Sequence, residues 1–119
     1  MNKNQGVNKI ILVGQIHGRP EWHTTAYGRC LCFQLITIED INKQGTTYQH
    51  TEVHSVRVPE IVVENGSEQF QDGVEVFIDG KITTMPSVDS SGIRRYDTTI
   101  IASKYSIMAK TPVQVLNTT

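Results

Sequence analysis

The side chains that could bind a metal or act in catalysis are scattered along this chain, without the spacing that such sites need. Four histidines and two cysteines are available as ligands: His17, His23, His50, His54, Cys30 and Cys32. They form no C-x-x-C pair, so the complete pattern of a zinc module, a C-x-x-C pair together with a spaced histidine pair, is not present. The sequence also has no glycine-rich phosphate loop and no G-x-S-x-G turn. We therefore expect no metal, no cofactor and no enzymatic activity.

Charge is distributed unevenly along the chain, although the total is close to neutral. Eleven Lys and Arg residues stand against 12 Asp and Glu residues, a net charge of −1, whereas nucleic-acid binders usually show a basic excess. No cation lies between Arg57 and Lys81, and that interval holds these acids: Glu60, Glu64, Glu68, Asp72, Glu75 and Asp79. The acidic interval is either an ordinary solvated face or a face that repels DNA. A surface for a polyanion would have to lie on the basic strands and loops.

Strands must position these charges. Runs of apolar and β-branched residues separated by turn residues predict strands at about residues 8–16, 29–39, 47–58, 74–84 and 94–102. A short or broken helix is predicted between residues 59 and 72, opened by Pro59 and interrupted at Asn65-Gly66. We expect Phe33 and Phe77 to fill the core. The resulting order, β-β-β-α-β-β, indicates an all-β barrel.

The size of the chain fits one such domain. A length of 119 residues provides enough chain for a single core. Neither a signal peptide nor an apolar run near the roughly 18 residues of a membrane span is present. We expect a soluble, cytoplasmic protein whose Cys30 and Cys32, with one residue between them, stay reduced.

Several sequence blocks together point to a known family. The run GVNKIILVG at residues 6–14 is followed by Pro20-Glu21, and then in order by FQLITIE (33–39), TEVH (51–54), VEVFIDGKI (74–82) and SGIRRYDTTI (91–100). Over residues 6–108 the chain resembles bacterial single-stranded DNA-binding proteins. The resemblance implies a five-stranded oligonucleotide-binding (OB) barrel with one short helix between strands three and four. It places this domain at residues 1–110 and a short tail at residues 111–119.

The same resemblance implies a function. We expect non-catalytic, largely sequence-independent binding of single-stranded DNA in replication, recombination or repair, by a nucleoid-associated homo-oligomer that is a tetramer built as a dimer of dimers. Members of the family commonly end in an acidic, phenylalanine-tipped peptide that recruits replication and repair proteins. Residues 111–119 do not match it, so recruitment of that kind is expected to be missing only if the protein ends at residue 119, and replication or repair proteins stay possible partners. The alternative is an OB-fold protein-interaction subunit of the primosome type, with weakened DNA binding.

The stacking residues of the family have no counterpart here. The positions aligned with them are Ile41, Val53, Pro59 and Ser87. Trp22 and Tyr48 are the candidate replacements, each either a platform for base stacking or a packing residue. The candidate phosphate contacts are these cations: Lys9, Lys43, Arg57, Lys81, Arg94 and Arg95.

The first strand also predicts self-association. Its nearly continuous apolar run is typical of a strand that is covered on both faces. His54 matches a family position at the subunit interface. We expect an oligomer interface formed by Asn8, Ile10, Leu12 and His54.

Overall fold

The computed structural model describes residues 5–109 of the chain. Five strands form a closed barrel in the order β1-β2-β3-β5-β4, which confirms the predicted class. Their bounds are β1 Ile10–Thr25, β2 Gly28–Lys43, β3 Thr46–Pro59, β4 Glu75–Val88 and β5 Arg94–Ala109. All pairings are antiparallel except the short parallel contact of β3 with β5, at Val56 with Ile100 and Arg57 with Ile101, which closes the barrel. The predicted tail at residues 111–119 lies outside the described residues.

The strands are longer than their apolar patterns predict. β2 and β3 pair without interruption from Cys30 with Pro59 to Lys43 with Thr46, so a hairpin arm projects beyond the core. β1 continues past its predicted end at Ile16, through a bulge between His17 and Glu21, to Thr25. Both faces of the β2–β3 arm meet water, so the hydrophobic alternation that marks a strand is lost there while the backbone ladder continues.

The helical segment is shorter than predicted. Helix α1 spans Glu60–Val63 and a 3-10 turn follows at Ser67–Gln69. Glu64 has a positive φ of 56° and ends α1. Glu60, Glu64, Glu68 and Asp72 recur every fourth residue and would line one face of a continuous helix, but the break after Val63 means that they do not share such a face.

The core is built from alternate residues of the strands and from the segment after α1. Leu31, Phe33 and Leu35 are buried, as the alternation predicts. Phe77 lies on the outer face because Val76 and Ile78 point inward, so its predicted place in the core is wrong. Phe70 fills the core instead, with its ring centroid 5.6 Å from that of Phe33 and 4.8 Å from that of Tyr105. The Tyr105 hydroxyl donates to the carbonyl oxygen of Val63 at 3.2 Å and fastens α1 to the barrel.

Two glycines allow neighbouring strands to approach closely. A Cβ on Gly14 would overlap the carbonyl oxygen of Ile36 in β2, and a Cβ on Gly80 would overlap the carbonyl oxygen of Ile101 in β5. Both are backbone contacts, which cannot be relieved by a side-chain rotation. Barrel closure therefore depends on the absence of a side chain at these positions. No helix among residues 5–109 is long and apolar enough to cross a membrane.

Candidate nucleic-acid interface

Two rows of polar side chains cross the outer face of β1, β2 and β3. The pairing register aligns His17 with Gln34 and Gln34 with Ser55. It likewise aligns Glu21 with Cys32 and Cys32 with Arg57. Residues directly opposite one another in an antiparallel pair share a face, so each row places side chains of three strands side by side.

These rows form the floor of an open groove of about 680 Å³, which we call the β1–β2–β3 groove. Arg19, in the bulge of β1, lines the groove together with Arg57. Neither guanidinium forms an ion pair with another residue in the described part of the chain. The one carboxylate of the lining, Glu21, has its Oε1 3.5 Å from Nε2 of His23. The groove therefore offers cationic side chains that are available to an anionic ligand.

Cys32 lies on the groove floor beside Arg57. Burial raises the pKa of the Cys32 thiol, Arg57 partly offsets that rise, and Cys30 adds to it. The thiol is therefore neutral near pH 7 and adds no negative charge to the floor. Cys30 and Cys32 are both free thiols, as expected.

The turn between β1 and β2 lies at one end of the β1–β2–β3 groove, whose lining includes Thr24 and Thr25. The Tyr27 hydroxyl lies 3.1 Å from Oγ1 of Thr83 in β4, and Nζ of Lys81 lies 5.7 Å from the centroid of the Tyr27 ring. Thr25 Oγ1 accepts a hydrogen bond from the Tyr27 amide at 3.0 Å and orders the turn. Lys81 is thus an exposed cation near an aromatic ring, and it lines a separate depression together with Lys9 and Asp79.

A second cationic and aromatic surface lies at the tip of the β2–β3 hairpin. Tyr48 is directly opposite Ile41 and its residue surface is 54% exposed. Lys43 and His50 line the same shallow depression. Lys43 and Tyr48 are therefore brought together, away from the groove that contains Arg57.

Trp22 occupies a different environment. It lies opposite Leu31, so it points to the inner side of the sheet, where it packs against the core cluster. The guanidinium of Arg29 lies 4.3 Å from the centroid of the indole ring, and Nη1 of Arg29 pairs with Oε2 of Glu60 at 2.7 Å. One face of the ring is thus covered by Arg29, which supports the packing alternative for Trp22.

The other predicted cations are dispersed. Lys9 pairs with Asp79 at 3.4 Å, on the β1–β4 side of the barrel. Arg95 pairs with Asp89 at 3.3 Å, across the turn between β4 and β5. Arg94 lies opposite Val88 in the same hairpin and therefore on the other face from Arg95. Of the predicted phosphate contacts, only Arg57 lines the β1–β2–β3 groove.

Sequence reasoning missed most of the groove. The missed residues that line it are these: His17, Arg19, Glu21, His23, Gln34 and Ser55. Strand alternation could have placed Gln34 and Ser55 on the outer face, since Phe33, Leu35 and Val56 point inward. The bulge in β1 was not predicted, because it is visible only in the pairing register, where the four intervals of β1 from His17 to Glu21 lie opposite two intervals of β2.

The predicted interface residues have contacts within the subunit. The Asn8 side chain donates to the Ile82 carbonyl at 2.7 Å and accepts from the Ile82 amide at 3.0 Å. Ile10 and Leu12 are partly buried against the core. Oγ1 of Thr37 lies 3.0 Å from Nε2 of His54. These contacts lie within one subunit and do not test the predicted interface, which stays a prediction.

No group of three or more metal-ligating side chains is found within residues 5–109. His50 and His54 are four residues apart, a spacing that brings two imidazoles together on a helix. On β3 the same spacing separates their backbones by about 14 Å. Their partners are Glu52 for His50, at 2.8 Å, and Thr37 for His54.

Comparison with known proteins agrees with the fold. The sequence model of the Single-strand binding protein family matches residues 7–108. Among solved structures, the Plasmodium falciparum SSB in complex with ssDNA has a TM-score of 0.75 and 22% identity, covering 92% of this chain and 98% of that one. A small single-stranded DNA-binding protein from Streptomyces coelicolor has a TM-score of 0.66 and 21% identity, covering 84% and 93%. A deletion mutant of the Thermus aquaticus single-stranded DNA binding protein has a TM-score of 0.74 and 17% identity, covering 90% of this chain and 53% of that one.

Proposed function

Because this chain belongs to the single-strand binding protein family, we propose that it binds single-stranded DNA along the β1–β2–β3 groove. The observation that carries this proposal is the pair of arginines, Arg19 and Arg57, which line the groove without an ionic partner among the described residues. OB-folds bind oligonucleotides on the face of strands two and three and on the adjoining loops. The groove occupies that face.

Phosphate contacts supply the main part of the binding energy in this proposal. Guanidinium groups bind phosphate oxygens through two parallel hydrogen bonds. Lys43 and Tyr48 at the hairpin tip add a second contact surface, where a base stacks on the exposed ring. Such binding needs no catalytic group, and its role is to protect exposed single strands during replication, recombination or repair near the nucleoid.

Fluorescence anisotropy of labelled oligo-dT, compared with a duplex of equal length, tests the proposal. We expect salt-weakened binding to oligo-dT and little binding to the duplex. Arg57→Gln should lower the affinity for oligo-dT about tenfold. Lys104→Gln, which removes an exposed cation on β5 outside the groove, is the matched control and should have little effect.

Three results would contradict the proposal. Equal affinity for oligo-dT and duplex would show general attraction to polyanions. Equal effects of Arg57→Gln and Lys104→Gln would show that DNA does not lie in the groove. Absence of binding to either nucleic acid at low salt would favour the alternative, a protein-interaction subunit of the primosome type.

We also propose that the chain forms a homo-oligomer, a tetramer built as a dimer of dimers, through the outer face of β1. Support comes from Ile11 and Val13, which are 54% and 44% exposed and alternate with the inward residues Ile10 and Leu12. Ile11→Glu should reduce the mass measured by sedimentation velocity. Ile61→Glu is the matched control, because Ile61 on α1 is 83% exposed. An unchanged mass for Ile11→Glu would contradict this interface.

A further inference from the structure

We infer that His17 and His23 contact phosphates of the bound strand in their protonated form, so that the β1–β2–β3 groove binds single-stranded DNA more tightly as the pH falls from about 8 to about 5.5. The inference rests on the proposed function, because it concerns two further residues of the same groove. It requires no preference among bases, since phosphates are the same in every sequence.

Both histidines lie on the groove face of β1, one on each side of the bulge. His17 is opposite Gln34 and His23 is opposite Cys30, and both histidines line the groove. Gln34 and Cys30 are four residues apart in β2, which separates the two histidines by about 13 Å along the strand. Both histidines are exposed. They can therefore reach different phosphates of one DNA strand.

The backbone around His17 is held by the segment that follows α1. Gly18, with a φ of 85°, donates its amide to Oδ1 of Asp72 at 2.8 Å. The Gly73 amide donates to the carbonyl oxygen of Ile16 at 2.7 Å. These bonds lie on both sides of His17 along the chain, so its position at the start of the bulge is set before DNA binds.

The other charged and titratable groups of the groove leave it weakly positive while both imidazoles are neutral. β1 contributes Arg19 and Glu21, β2 contributes the neutral Cys32 thiol, and β3 contributes Arg57. Two guanidinium groups and one carboxylate give the lining a net charge of +1. The carboxylate of Asp72, beside the bulge, already accepts the Gly18 amide. Protonation of both imidazoles raises the charge of the lining to +3.

The two imidazoles differ in their partners within the protein. Nε2 of His23 lies 3.5 Å from Oε1 of Glu21, and these side chains are 58% and 64% exposed. The ring of His17 has no hydrogen-bond or ion-pair partner among residues 5–109. Protonated His17 therefore adds a free positive charge to the groove. Protonated His23 instead cancels the charge of Glu21, which repels a phosphate.

Proton uptake and DNA binding are linked through these rings. Histidine is the side chain whose charge ordinarily changes between pH 5 and 8, and a nearby phosphate favours the charged form. The same interaction favours DNA binding by the protonated protein, because the coupling between two ligands is reciprocal. Oligo-dT suits the measurement, since neither its thymines nor its phosphodiesters titrate in this range.

Anisotropy titrations of rhodamine-labelled oligo-dT at about pH 8 and about pH 5.5, at equal salt concentration, test the inference. We expect the wild-type protein to bind about tenfold more tightly at the lower pH, an effect at the low end for one hydrogen bond to a charged group. The double substitution His17→Gln and His23→Gln should lose most of this increase. His50→Gln, which removes an exposed histidine paired with Glu52 outside the groove, is the matched control and should retain it.

Two further measurements separate charge from other effects of the rings. His17→Lys carries a positive charge at both pH values, so it should bind more tightly than the wild type at about pH 8 and show a smaller increase on acidification. Calorimetry in two buffers of different ionisation enthalpy counts the protons, and we expect the wild type to take up about half a proton per bound strand near pH 6.5. The double glutamine variant should take up fewer. Because both histidines are exposed, circular dichroism should show the wild-type thermal midpoint for the double variant at each pH.

Equal wild-type affinities at the two pH values would overturn the inference while leaving the proposed function intact. So would an increase that the double variant retains, or one that His50→Gln removes to the same extent. A loss of affinity in the double variant that is the same at both pH values would also overturn it, because the rings would then stack on bases. A wild-type protein that binds oligo-dT at neither pH would overturn both the inference and the proposed function.

Discussion

At the scale of single residues, the two aromatic candidates have different environments. Trp22 packs against the core cluster and lies under Arg29, whereas Tyr48 is half-exposed at the hairpin tip. A packed ring contributes to folding, and an exposed ring beside a lysine is available to a ligand. Variants of Trp22 should therefore lose mainly stability, and variants of Tyr48 should lose mainly affinity for DNA.

Truncation of Trp22 should mainly reduce stability. Trp22→Ala removes a ring that is partly buried against the core, so we expect the free energy of unfolding to fall by about 2 kcal/mol, less than for a fully buried tryptophan. Urea denaturation measures this loss, and Trp22→Phe should recover part of it. A Trp22→Ala protein with unchanged stability but reduced affinity for oligo-dT would mean that the indole stacks on a base.

Truncation of Tyr48 should mainly reduce the affinity for DNA and leave stability almost unchanged. Tyr48→Ala should weaken binding to oligo-dT by about 1 kcal/mol, the lower end of the range for loss of a stacking platform. The free energy of unfolding should change by less than about 0.5 kcal/mol, as at most surface sites. Tyr48→Phe keeps the ring and should bind like the wild type. Equal losses of affinity for the Phe and Ala variants would instead assign the contact to the hydroxyl group.

The inward residues of β2 were predicted correctly, but the place of Phe77 in β4 was not. In β2 the apolar residues Leu31, Phe33 and Leu35 alternate with smaller or polar neighbours, so one face is clearly apolar. The same period of two puts Phe77 on one face with the acids Glu75 and Asp79, and Val76 and Ile78 on the other. The expectation that Phe77 fills the core followed its residue type, whereas the strand keeps the alternation and turns Phe77 outward.

At the scale of elements, the glycine in the middle of β1 should be essential for strand packing. Gly14→Ala would place a methyl group against the Ile36 carbonyl, and relief requires a backbone shift. We expect a loss of about 3 kcal/mol in the free energy of unfolding, the upper end of overpacking effects. Gly6→Ala is the control, because nothing lies within 4 Å of a Cβ there. Equal urea midpoints for the two variants would contradict this prediction, because they would show that the backbones of β1 and β2 can move apart without loss of stability.

The turn between β4 and β5 should depend on the charge of Asp89. Oδ1 of Asp89 accepts hydrogen bonds from the Ile93 amide at 2.9 Å and from the Ser91 amide at 2.9 Å. These bonds, the one from Ile93 foremost, lower the pKa of Asp89, and burial opposes them. Because the folded pKa is below the unfolded one, the contribution of the carboxylate is fully present above the ordinary pKa of about 3.9. It is lost as the pH falls through the lower, folded pKa.

The amide resonance of Ile93 should report this titration by NMR. We expect its midpoint below the ordinary carboxyl range, and no such transition in Asp89→Asn. A midpoint at the ordinary value would mean that the hydrogen bonds to Asp89 are not maintained in solution.

The order of the elements along the chain and the position of the helix followed from the sequence, but the lengths of the arms did not. The predicted end of β2 at residue 39 coincides with the end of its alternation, yet pairing continues to Lys43 with Thr46. The tight turn at Gln44 and Gly45, both with positive φ, suits a two-residue hairpin and extends the ladder to the tip. Turn geometry, rather than hydrophobicity, sets the length of this arm.

At the scale of the whole molecule, local charge matters more than total charge. A net charge of −1 gives no general attraction to a polyanion, but acids and cations are not mixed evenly. Glu60 and Asp79 are engaged by Arg29 and Lys9, away from the groove, while Arg19 and Arg57 line it. Composition therefore could not locate the interface. The interface could be located only from the strand register, which places Arg57 of β3 in one row with Cys32 of β2 and Glu21 of β1.

Salt dependence should reveal how many of these cations contact phosphates. Release of counterions from single-stranded DNA gives a slope of about −0.7 per neutralised phosphate in a plot of the logarithm of affinity against the logarithm of salt concentration. With about four phosphates contacted, we expect a slope near −3. The double substitution Arg19→Gln and Arg57→Gln should make it shallower by about 1.4, and Lys104→Gln should leave it unchanged. An unchanged slope in the double variant would show that the two arginines do not neutralise phosphates, and the path of the DNA would then have to follow other cations, such as Lys43 at the hairpin tip.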